Sequence, residues 1–500
     1  MAERPTAVIV LAAGSGTRMK SKTMKVLHPL CGRTMIGHVI TAALTVEPRH
    51  VVAVVGHGRE TVGPHVLELA PGALLAVQET QEGTGHAVRV GLEALRAAAG
   101  TTEGTVVVVA ADTPLLQGAT IADLVADHGT ATRSVTVLTG EVADPFGYGR
   151  VIRDSDGSVA AIVEEKDADD QQAAVLEISS GVFAFDGAFL ADALSRVTND
   201  NAKGEYYLTD VVGLARTDGR AVGAFRIDDV AQTEGANDRA QLATLGGELN
   251  RRILDRWMRD GVSVMDPATT WVDADVVLAP DVTLLPGVQL LGTTTVDEEA
   301  VIGPDCTLKD VEVGRGARVV RTHGELAVVG ADAVVGPFSY LRPGTVLGAG
   351  GKIGAFVETK NARIGDGAKV PHLSYVGDAE VGEGANIGAG TIFANYDGVS
   401  KHRTRVGRQA KTGCHNTFIA PVEIGDGAVT GGGTVVRRDV PPGALAVSTG
   451  PQRNLDDWVL RKRAGSAAAD AATEALAAGS TARGSAPQVA AGSDPERQSD

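Results

Sequence analysis

The chain has few aromatic residues and few cysteines, and these shortages exclude several classes of protein. Aromatic residues make up 4% of its 500 residues, whereas glycine occurs 63 times, a balance that suits a repetitive fold of small residues and tight turns. Cys31, Cys306 and Cys414 are far apart and odd in number, so they indicate neither a disulfide framework nor a metal site. We therefore expect a reducing, cytoplasmic setting.

Long apolar runs and basic clusters are missing as well. No apolar run approaches the roughly 20 residues that a membrane-spanning helix needs. The start of the chain lacks the basic-then-apolar order of a secretory signal. The formal net charge of −16 argues against a nucleic-acid partner, because such a partner needs a clustered basic face.

The second half of the chain, from residue 276 to about 437, repeats a six-residue unit. Residues 364–369, 381–386 and 424–429 each begin with an aliphatic residue and a glycine and carry alanine four places on. Because six is a multiple of two, the aliphatic and the small side chain point the same way off a strand. Three flat faces then close a triangular coil, and coils stack into a solenoid. The repeat resembles the left-handed parallel β-helix of hexapeptide-repeat acyltransferases, and the handedness rests on that resemblance.

The first 230 or so residues alternate between β and α patterns. Residues 7–11, 51–55 and 106–110 are continuous apolar runs, which favours strands buried on both faces of a parallel sheet. Amphipathic stretches at 34–45 and 86–99 lie between them. In such α/β sheets ligands bind at the carboxyl ends of the strands, so the loops after Leu11 and Ala110 are the places to look for chemistry.

A glycine-rich turn over residues 11–19 follows the first strand. Its glycines let backbone N–H groups approach an anion, and Arg18 and Lys25 can neutralise charge. The turn fits neither the dinucleotide fingerprint nor the P-loop, and an ordinary strand-to-helix turn is the plain alternative. The nine-residue string with Lys25 resembles the motif of sugar-1-phosphate nucleotidyltransferases, although Met24 stands where that family usually has proline.

This resemblance implies an α/β Rossmann-like nucleotidyltransferase domain that binds UTP and a sugar phosphate. It makes Lys25 and Arg18 catalytic, and it makes Asp112 and Asn237 the ligands of Mg²⁺, which prefers few protein oxygens plus waters and phosphates. Without the resemblance, Asp112 is an ordinary helix N-cap. Ser179 stands where the family has asparagine. The implied nucleotide and product contacts are Leu11, Ala12, Ala13, Gly14, Lys25, Gln78, Gly83, Thr84, Ala110, Ala111, Asp112, Gly149, Glu164, Ser179 and Asn237.

The hexads are interrupted near residues 359–363 and again at 393–405. Interruptions of a solenoid put loops on one edge, where function tends to lie. His372 lies between them, and a lone histidine on a strand face is ordinarily a surface or packing residue. We therefore weigh His372 by its surroundings.

Those surroundings resemble a second family. Residues 341–344, 358–360, 372–375 and 395–398 resemble, in order and spacing, the bifunctional N-acetylglucosamine-1-phosphate uridyltransferases/glucosamine-1-phosphate acetyltransferases, over about residues 6–455. The resemblance makes His372 the general base of acetyl transfer. It assigns glucosamine-1-phosphate to Arg342, Lys360, Tyr375 and Asn386. It assigns acetyl-CoA to Ala389, Asn395, Tyr396, Cys414, Gly432 and Thr449, with Cys414 and Thr449 departing from the family's serine and arginine.

The resemblance also sets the expected organisation and product. We expect a uridyltransferase domain over 1–237, a linker helix over 238–261, a β-helix over 262–455, and a tail over 456–500 that is disordered from about residue 464. We expect a homotrimer through the β-helix and synthesis of UDP-N-acetylglucosamine, a peptidoglycan precursor.

Two other hypotheses remain at this point. One is a monofunctional nucleotidyltransferase whose β-helix is only structural, and the set Arg342, Lys360 and His372 argues against it. The other is a non-catalytic regulatory subunit, against which the intact Lys25 and Asp112 argue.

Overall fold

The chain forms two compact units, one ending at Ala446 and one beginning at Val447. The structure is a computed structural model that describes residues 4–448, 450 and 452–483. None of the helices in that part of the chain has the length and apolar character that a membrane span requires.

The first domain alternates strands and helices. Its strands are β1 Ala7–Ala12, β2 Pro29–Leu30, β3 Arg33–Thr34, β4 His50–Val55, β5 Leu74–Val77, β6 Thr105–Ala110, β7 Val135–Glu141, β8 Gly149–Arg153, β9 Val159–Val163, β10 Glu177–Asp186 and β11 Val222–Arg226. Its helices are α1 Met35–Leu44, α2 Arg59–Leu69, α3 Thr84–Ala99, α4 Gly118–Thr130, α5 Asp170–Ala173, α6 Gly187–Arg196 and α7 Asp210–Thr217, with 3-10 turns at Thr17–Met19, Lys25–Leu27 and Val230–Thr233.

The main sheet is mixed and runs in the order β11-β7-β10-β6-β1-β4-β5. β1 pairs in parallel with both β4 and β6, whereas β10 is antiparallel to β6 and β7. The three apolar runs are these central strands, so the prediction of buried strands is confirmed. Their alternate side chains enter two cores, one on each face of the sheet, as expected for an α/β layered domain.

A long helix, α8 Arg239–Arg259, leads out of this domain. The Asp238 side chain accepts from the backbone N–H of Gln241 at 2.9 Å and caps the helix start. The β2–β3 hairpin reaches the first coil beyond α8, where Arg33 donates to Asp275. The β2–β3 hairpin of the first domain and the solenoid are therefore in direct contact.

The rest of the first unit consists of short strands. They are β12 Ser263–Val264, β13 Trp271–Val272, β14 Val277–Leu278, β15 Thr283–Leu284, β16 Gln289–Leu291, β17 Thr295–Val296, β18 Val301–Ile302, β19 Thr307–Lys309, β20 Glu312–Val313, β21 Arg318–Val319, β22 Thr322–Glu325, β23 Val328–Val329, β24 Val334–Val335, β25 Ser339–Leu341, β26 Val346–Leu347, β27 Lys352–Ala355, β28 Glu358–Ile364, β29 Lys369–His372, β30 Tyr375–Val381, β31 Ile392–Ala394, β32 Thr404–Val406, β33 Thr417–Ile419, β34 Val422–Ile424, β35 Val429–Thr430, β36 Val435–Val436 and β37 Leu445–Ala446.

In most of this region each strand pairs in parallel with the strand three further along, so three strands make one coil. Val272, Leu290 and Leu308 stand in register in successive coils and are all buried in the prism. This is the parallel β-helix that the hexads predict, and the architecture is consistent with the left-handed form.

Two sequence expectations for this region need correction. Residues 359–363 are no loop: β28 continues through them as a strand, and the corner is turned at Asn361 with φ 45°. Asparagine tolerates this left-handed conformation, so no insertion is needed. The solenoid also stops short of residue 455, because its last strand ends at Ala446 and the following Val447, 62% exposed, fills no core position.

The second unit contains two helices, α9 Trp458–Lys462 and α10 Ala467–Arg483. The prediction of disorder from residue 464 is therefore wrong for α10, because its many alanines have the highest intrinsic helix propensity of any residue. The remainder of the predicted tail, 484–500, lies outside the described residues.

Candidate active sites

The glycine-rich loop between β1 and Lys25 is shaped around that lysine. Gly16 has φ 59°, and a Cβ added there would lie 2.4 Å from the Cβ of Lys25, so glycine is required on both counts. A Cβ at Gly14 would meet nothing within 4 Å, which leaves the backbone open above the loop. Arg239, at the start of α8, donates from Nε to the carbonyl of Met19 at 3.3 Å and holds the following turn.

Lys25, Asp112 and Asn237 converge from three distant segments. The Lys25 Nζ donates to Asp112 Oδ2 at 2.5 Å and to Asn237 Oδ1 at 2.7 Å. Asp112 follows β6, and its carbonyl accepts from the N–H of Ala236 at 3.3 Å. The N–H of Asn237 donates to Gln241 Oε1 at 2.8 Å, so the first turn of α8 positions the amide.

The carboxylate oxygen of Asp112 and the amide oxygen of Asn237 that contact Lys25 suit a divalent cation as well as an ammonium group. A carboxylate and an amide oxygen are hard donors of the kind Mg²⁺ takes while keeping waters and substrate phosphates. Because both oxygens already bind the Lys25 cation, the local field favours positive charge. The described residues contain no cluster of three or more His, Cys, Asp or Glu side chains suited to a metal.

A cavity of about 410 Å³ opens beside this group. Burial, followed by the charges of Glu234 and Asp112, raises the pKa of Tyr148 in its wall, so the phenol stays protonated. The lining of the cavity consists of Arg18, Ala110, Asp112, Thr113, Phe146, Gly147, Tyr148, Ser180, Thr233, Gly235, Asn237 and Gln241.

Ser180, not the predicted Ser179, lines that cavity. The hydroxyl of Ser179 is buried and has no hydrogen-bond partner within the described part of the chain. Successive residues of a strand face opposite sides, which is why neighbours in β10 differ. The contact predicted for Ser179 therefore stays a prediction, and Ser180 is the residue of this pair that faces the cavity.

Gln78 directly follows β5, and Gly83 directly precedes α3. Gln78 is 4% exposed, and its Nε2 donates to the Gly83 carbonyl at 3.2 Å and contacts His86 Nδ1 at 3.2 Å. A Cβ on Gly83, whose φ is 107°, would lie 2.6 Å from the carbonyl oxygen of Tyr206. Thr84 then begins α3 and accepts from Leu208 N–H at 3.1 Å.

Gly149 begins β8, and Glu164 directly follows the paired strand β9. Glu164 Oε1 accepts from the hydroxyl of Thr209 at 3.1 Å, and a Cβ on Gly149 would stand 3.7 Å from that oxygen. The remaining predicted nucleotide contacts, Leu11, Ala12, Ala13, Ala110 and Ala111, lie at the carboxyl ends of β1 and β6.

The second site concentrates positive charge on the β-helix. Arg342 Nη1 donates to Glu358 Oε1 at 2.8 Å, which raises the pKa of Arg342. Lys360 lies two residues beyond Glu358, and the neighbouring Lys401 lowers the pKa of Lys360. Lys401 thus acts on Lys360 as a neighbouring positive charge, and two such ammonium groups can attract an anion, a feature that the sequence did not indicate.

Lys401 belongs to the loop after β31, which is the second predicted break in the hexads. Asp397 accepts from the N–H groups of Val399 and Ser400 at 2.8 and 2.7 Å and contacts His402 Nε2 at 2.7 Å. These contacts, led by Ser400, hold the pKa of Asp397 well below its usual range. The loop that presents Lys401 is therefore internally braced.

Tyr375 and Asn395 meet at the start of this loop. Asn395 Nδ2 donates to Asp378 Oδ2 at 2.5 Å and lies 3.4 Å from the hydroxyl of Tyr375. A Cβ on Gly377 would be 2.3 Å from that hydroxyl, so the ring lies across the strand only because residue 377 is glycine. Tyr396 follows Asn395 and is exposed.

His372, Ala389, Cys414 and Gly432 occupy equivalent corner positions in successive coils. The carbonyls of His372, Ala389 and Cys414 accept from the N–H groups one coil on at 3.2, 2.6 and 2.8 Å. Apart from His372 at its head, this column carries side chains no larger than cysteine. It thus offers a narrow, uncovered strip on which a long thin ligand can lie, with the imidazole at one end. The predicted contact at Thr449 lies outside the described residues.

Comparison with known proteins identifies the family of the chain. A domain family described as MobA-like NTP transferase matches residues 8–176. Proteins named bifunctional protein GlmU are 59% identical in Rhodococcus opacus, 57% in Streptomyces avermitilis and 56% in Mycolicibacterium vanbaalenii. The matches cover 94, 94 and 93% of this chain and 95, 97 and 95% of those proteins.

The chain belongs to the GlmU family. These relatives are named as bifunctional proteins, which argues against the alternatives of a purely structural β-helix and of a non-catalytic subunit.

The second site of this GlmU-family chain is divided between two faces of the prism. Asn386 pairs with Lys369 and Lys411 on the face of β29, whereas Lys360 and Tyr375 belong to strands of the neighbouring sheet. Among the hydrogen bonds of the described residues, none joins the side chains of His372 or Asn386 to Lys360 or Tyr375. Within one chain the predicted acetyl-site residues thus lie on two different sheets of the prism.

Proposed function

We propose that this GlmU-family enzyme makes UDP-N-acetylglucosamine in two steps at separate sites. Acetyl transfer to glucosamine-1-phosphate takes place on the β-helix, and uridylyl transfer from UTP takes place in the first domain. The product supplies peptidoglycan synthesis in the cytoplasm. The observation that carries this proposal is the pair of cation-rich sites, Lys25 with Asp112 and Lys360 with Lys401, in one chain of a bifunctional family.

In the acetyl step the clamp of Arg342, Lys360 and Lys401 holds the sugar phosphate. The 2-amino nitrogen attacks the thioester carbonyl of acetyl-CoA, and the C–S bond breaks. His372 takes the proton from the amine and returns it to the departing CoA thiolate. The small-residue column below His372 accepts the extended part of acetyl-CoA.

In the uridylyl step a phosphate oxygen of the acetylated sugar attacks the α-phosphorus of UTP, and pyrophosphate leaves. Both reactants are anions, so the work of Lys25 and Arg18 is to neutralise charge and hold the in-line geometry. The open backbone at Gly14 admits the triphosphate. No protein nucleophile takes part.

Asp112 and Asn237 are the residues that would hold Mg²⁺ in this site. When bound, the ion supplies further positive charge against the triphosphate. Lys25 then donates to the phosphates in place of the two oxygens that it contacts in this structure.

A homotrimer through the β-helix completes the acetyl site. Phe338, Phe356 and Leu373 form an exposed apolar column one residue beyond the His372 corner column and are 52, 59 and 57% exposed. All three have left-handed backbone conformations, and the two phenylalanine rings stack at 5.3 Å. Such a patch beside a divided site favours burial against a neighbouring chain, which would bring an Asn386 face to a Lys360 face.

One experiment tests the whole reaction. The purified enzyme receives glucosamine-1-phosphate, acetyl-CoA, UTP and Mg²⁺, and UDP-N-acetylglucosamine and pyrophosphate are measured. We expect both products from the full mixture. Leaving out acetyl-CoA should stop UDP-N-acetylglucosamine formation until N-acetylglucosamine-1-phosphate is added. Failure of that addition to restore the product would contradict the two-step order.

A further inference from the structure

A buried carboxylate lies among the polar groups of the acetyl site. Asp378 is 8% exposed and stands at a coil corner with φ 48°. Its Oδ1 accepts from Asn361 Nδ2 at 2.8 Å, and its Oδ2 accepts from Asn395 Nδ2 at 2.5 Å. Both oxygens are therefore engaged by amide groups from two other coils.

Without the negative charge of Asp378, the groups around Lys360 and Lys401 would carry an excess of positive charge. Lys360 faces Lys401, Arg342 and Asp378, and Glu358 on the same strand is already paired with Arg342. Burial would raise the pKa of Asp378, but the amide donors and the two lysines outweigh burial and lower it. Among the charged groups that act on Lys360, Asp378 is the carboxylate, and it favours the protonated lysine.

We propose that Asp378 is a positioning residue of the acetyltransferase. Its charge keeps Lys360 and Lys401 together and protonated before the sugar phosphate arrives, and its second oxygen fixes the amide of Asn395. Asp378 is too deeply buried to be a phosphate ligand itself. The inference rests on the proposed acetyl transfer at this site.

One carboxylate in this arrangement serves both substrates. Through the two lysines it prepares the place of the sugar phosphate. Through Asn395 it orients a residue at the start of the braced loop, on the side assigned to acetyl-CoA. Loss of its charge should therefore act on binding of the sugar phosphate first.

The test is Asp378→Asn, with Asp366→Asn as the matched control. Asparagine tolerates the left-handed corner, so the backbone is not strained. Asp366 is an exposed carboxylate one coil away that accepts from Ala349 N–H, and asparagine keeps that acceptor. The control removes the same charge outside the site and should change nothing in acetyl transfer.

We expect Asp378→Asn to raise the KM for glucosamine-1-phosphate about tenfold, with kcat changed less than about threefold. The alkaline limb of kcat/KM should move to lower pH, because without Asp378 the lysine pair loses its first proton sooner. Unchanged KM and pH profile in a variant with the wild-type melting temperature would overturn the inference. So would a fall in kcat alone. A wild-type enzyme that acetylates no glucosamine-1-phosphate would instead refute the proposed function.

A second variant decides the matter if Asp378→Asn does not fold. The pair Asp378→Asn/Lys401→Gln removes opposite charges together, so its KM should be close to that of Lys401→Gln alone. A KM well above that of Lys401→Gln alone would overturn the inference. The pair of Asp366→Asn with Lys401→Gln is the matched control for removing two opposite charges.

Discussion

The two sites of this chain differ in how complete they are within one copy. In the first domain, Lys25 already touches both Asp112 and Asn237, and a cavity opens beside them. On the β-helix, the phosphate clamp lies on one sheet and Asn386 on another. An α/β domain gathers distant loops at one sheet edge, whereas a solenoid brings together only residues of adjacent coils. The fold type therefore explains why the first set of residues meets in one place while the second is spread over two sheets of the prism.

His372→Ala gives the largest expected separation of the two regions. Acetyl transfer should fall by about 10²- to 10⁴-fold, because the base is lost. Uridylyl transfer from added N-acetylglucosamine-1-phosphate should stay at the wild-type rate. Steady-state assays of each half-reaction measure the change. Loss of both activities in a folded protein would show that the sites are not independent.

Asp112→Ala should produce the reverse pattern. We expect uridylyl transfer to fall by about 10²- to 10³-fold, because one of the two oxygens assigned to Mg²⁺ disappears. Asp123→Ala, an exposed aspartate on α4, is the control. Adding EDTA to the wild-type enzyme should likewise stop uridylyl transfer and spare acetyl transfer. An acetyl rate that depends on Mg²⁺ would be evidence against this division.

Phe338→Ser/Phe356→Ser tests whether only the second site needs a neighbour. Analytical ultracentrifugation should show monomers in place of trimers, and acetyl transfer should drop about tenfold or more at low enzyme concentration. Uridylyl transfer should persist. Leu326→Ser changes an exposed apolar corner residue off the column and should leave the assembly intact. Monomers with full acetyl activity would refute the shared-site proposal.

Glu248→Gln on the linker helix has the smallest expected effect. Arg251 and Arg252 lower the pKa of Glu248 to about 2, so its contribution to stability is present above the unfolded pKa and disappears as pH falls towards 2. The pair is partly exposed, so we expect the melting temperature at pH 7 to fall by about 1 °C. Both activities should be unchanged. Differential scanning calorimetry against Glu93→Gln measures the shift.

Periodic features of the chain were the most predictable from sequence. The hexads predicted the β-helix because each aliphatic residue must face a shared interior, and the three apolar runs predicted β1, β4 and β6. The corner at Asn361 was not predictable as a strand, since asparagine in a left-handed corner replaces the usual glycine pattern. The α10 helix was not predictable from low complexity alone, because an alanine-rich composition that buries little apolar surface can still form a helix.

The polar contacts of the sites were less predictable. Motif resemblance pointed to Lys25, Asp112 and Asn237, which the structure brings together, whereas Ser180, which no motif indicated, lines the adjoining cavity. Lys401 and Asp378 carry no motif signal of their own. Both come to light only through contacts between segments distant in sequence, such as Asn395 with Asp378 and Lys401 with Lys360, which no local pattern specifies.

The column from His372 to Gly432 also has a length that is fixed by the spacing of the coils. Its four positions are separated by three coil steps of about 4.8 Å, so the imidazole and the far end of the strip are about 14 Å apart. Inserting one whole coil between Ala389 and Cys414 would lengthen that distance by one step while leaving every corner locally unchanged. The length of the strip in this fold is therefore set by the number of coils between its two ends.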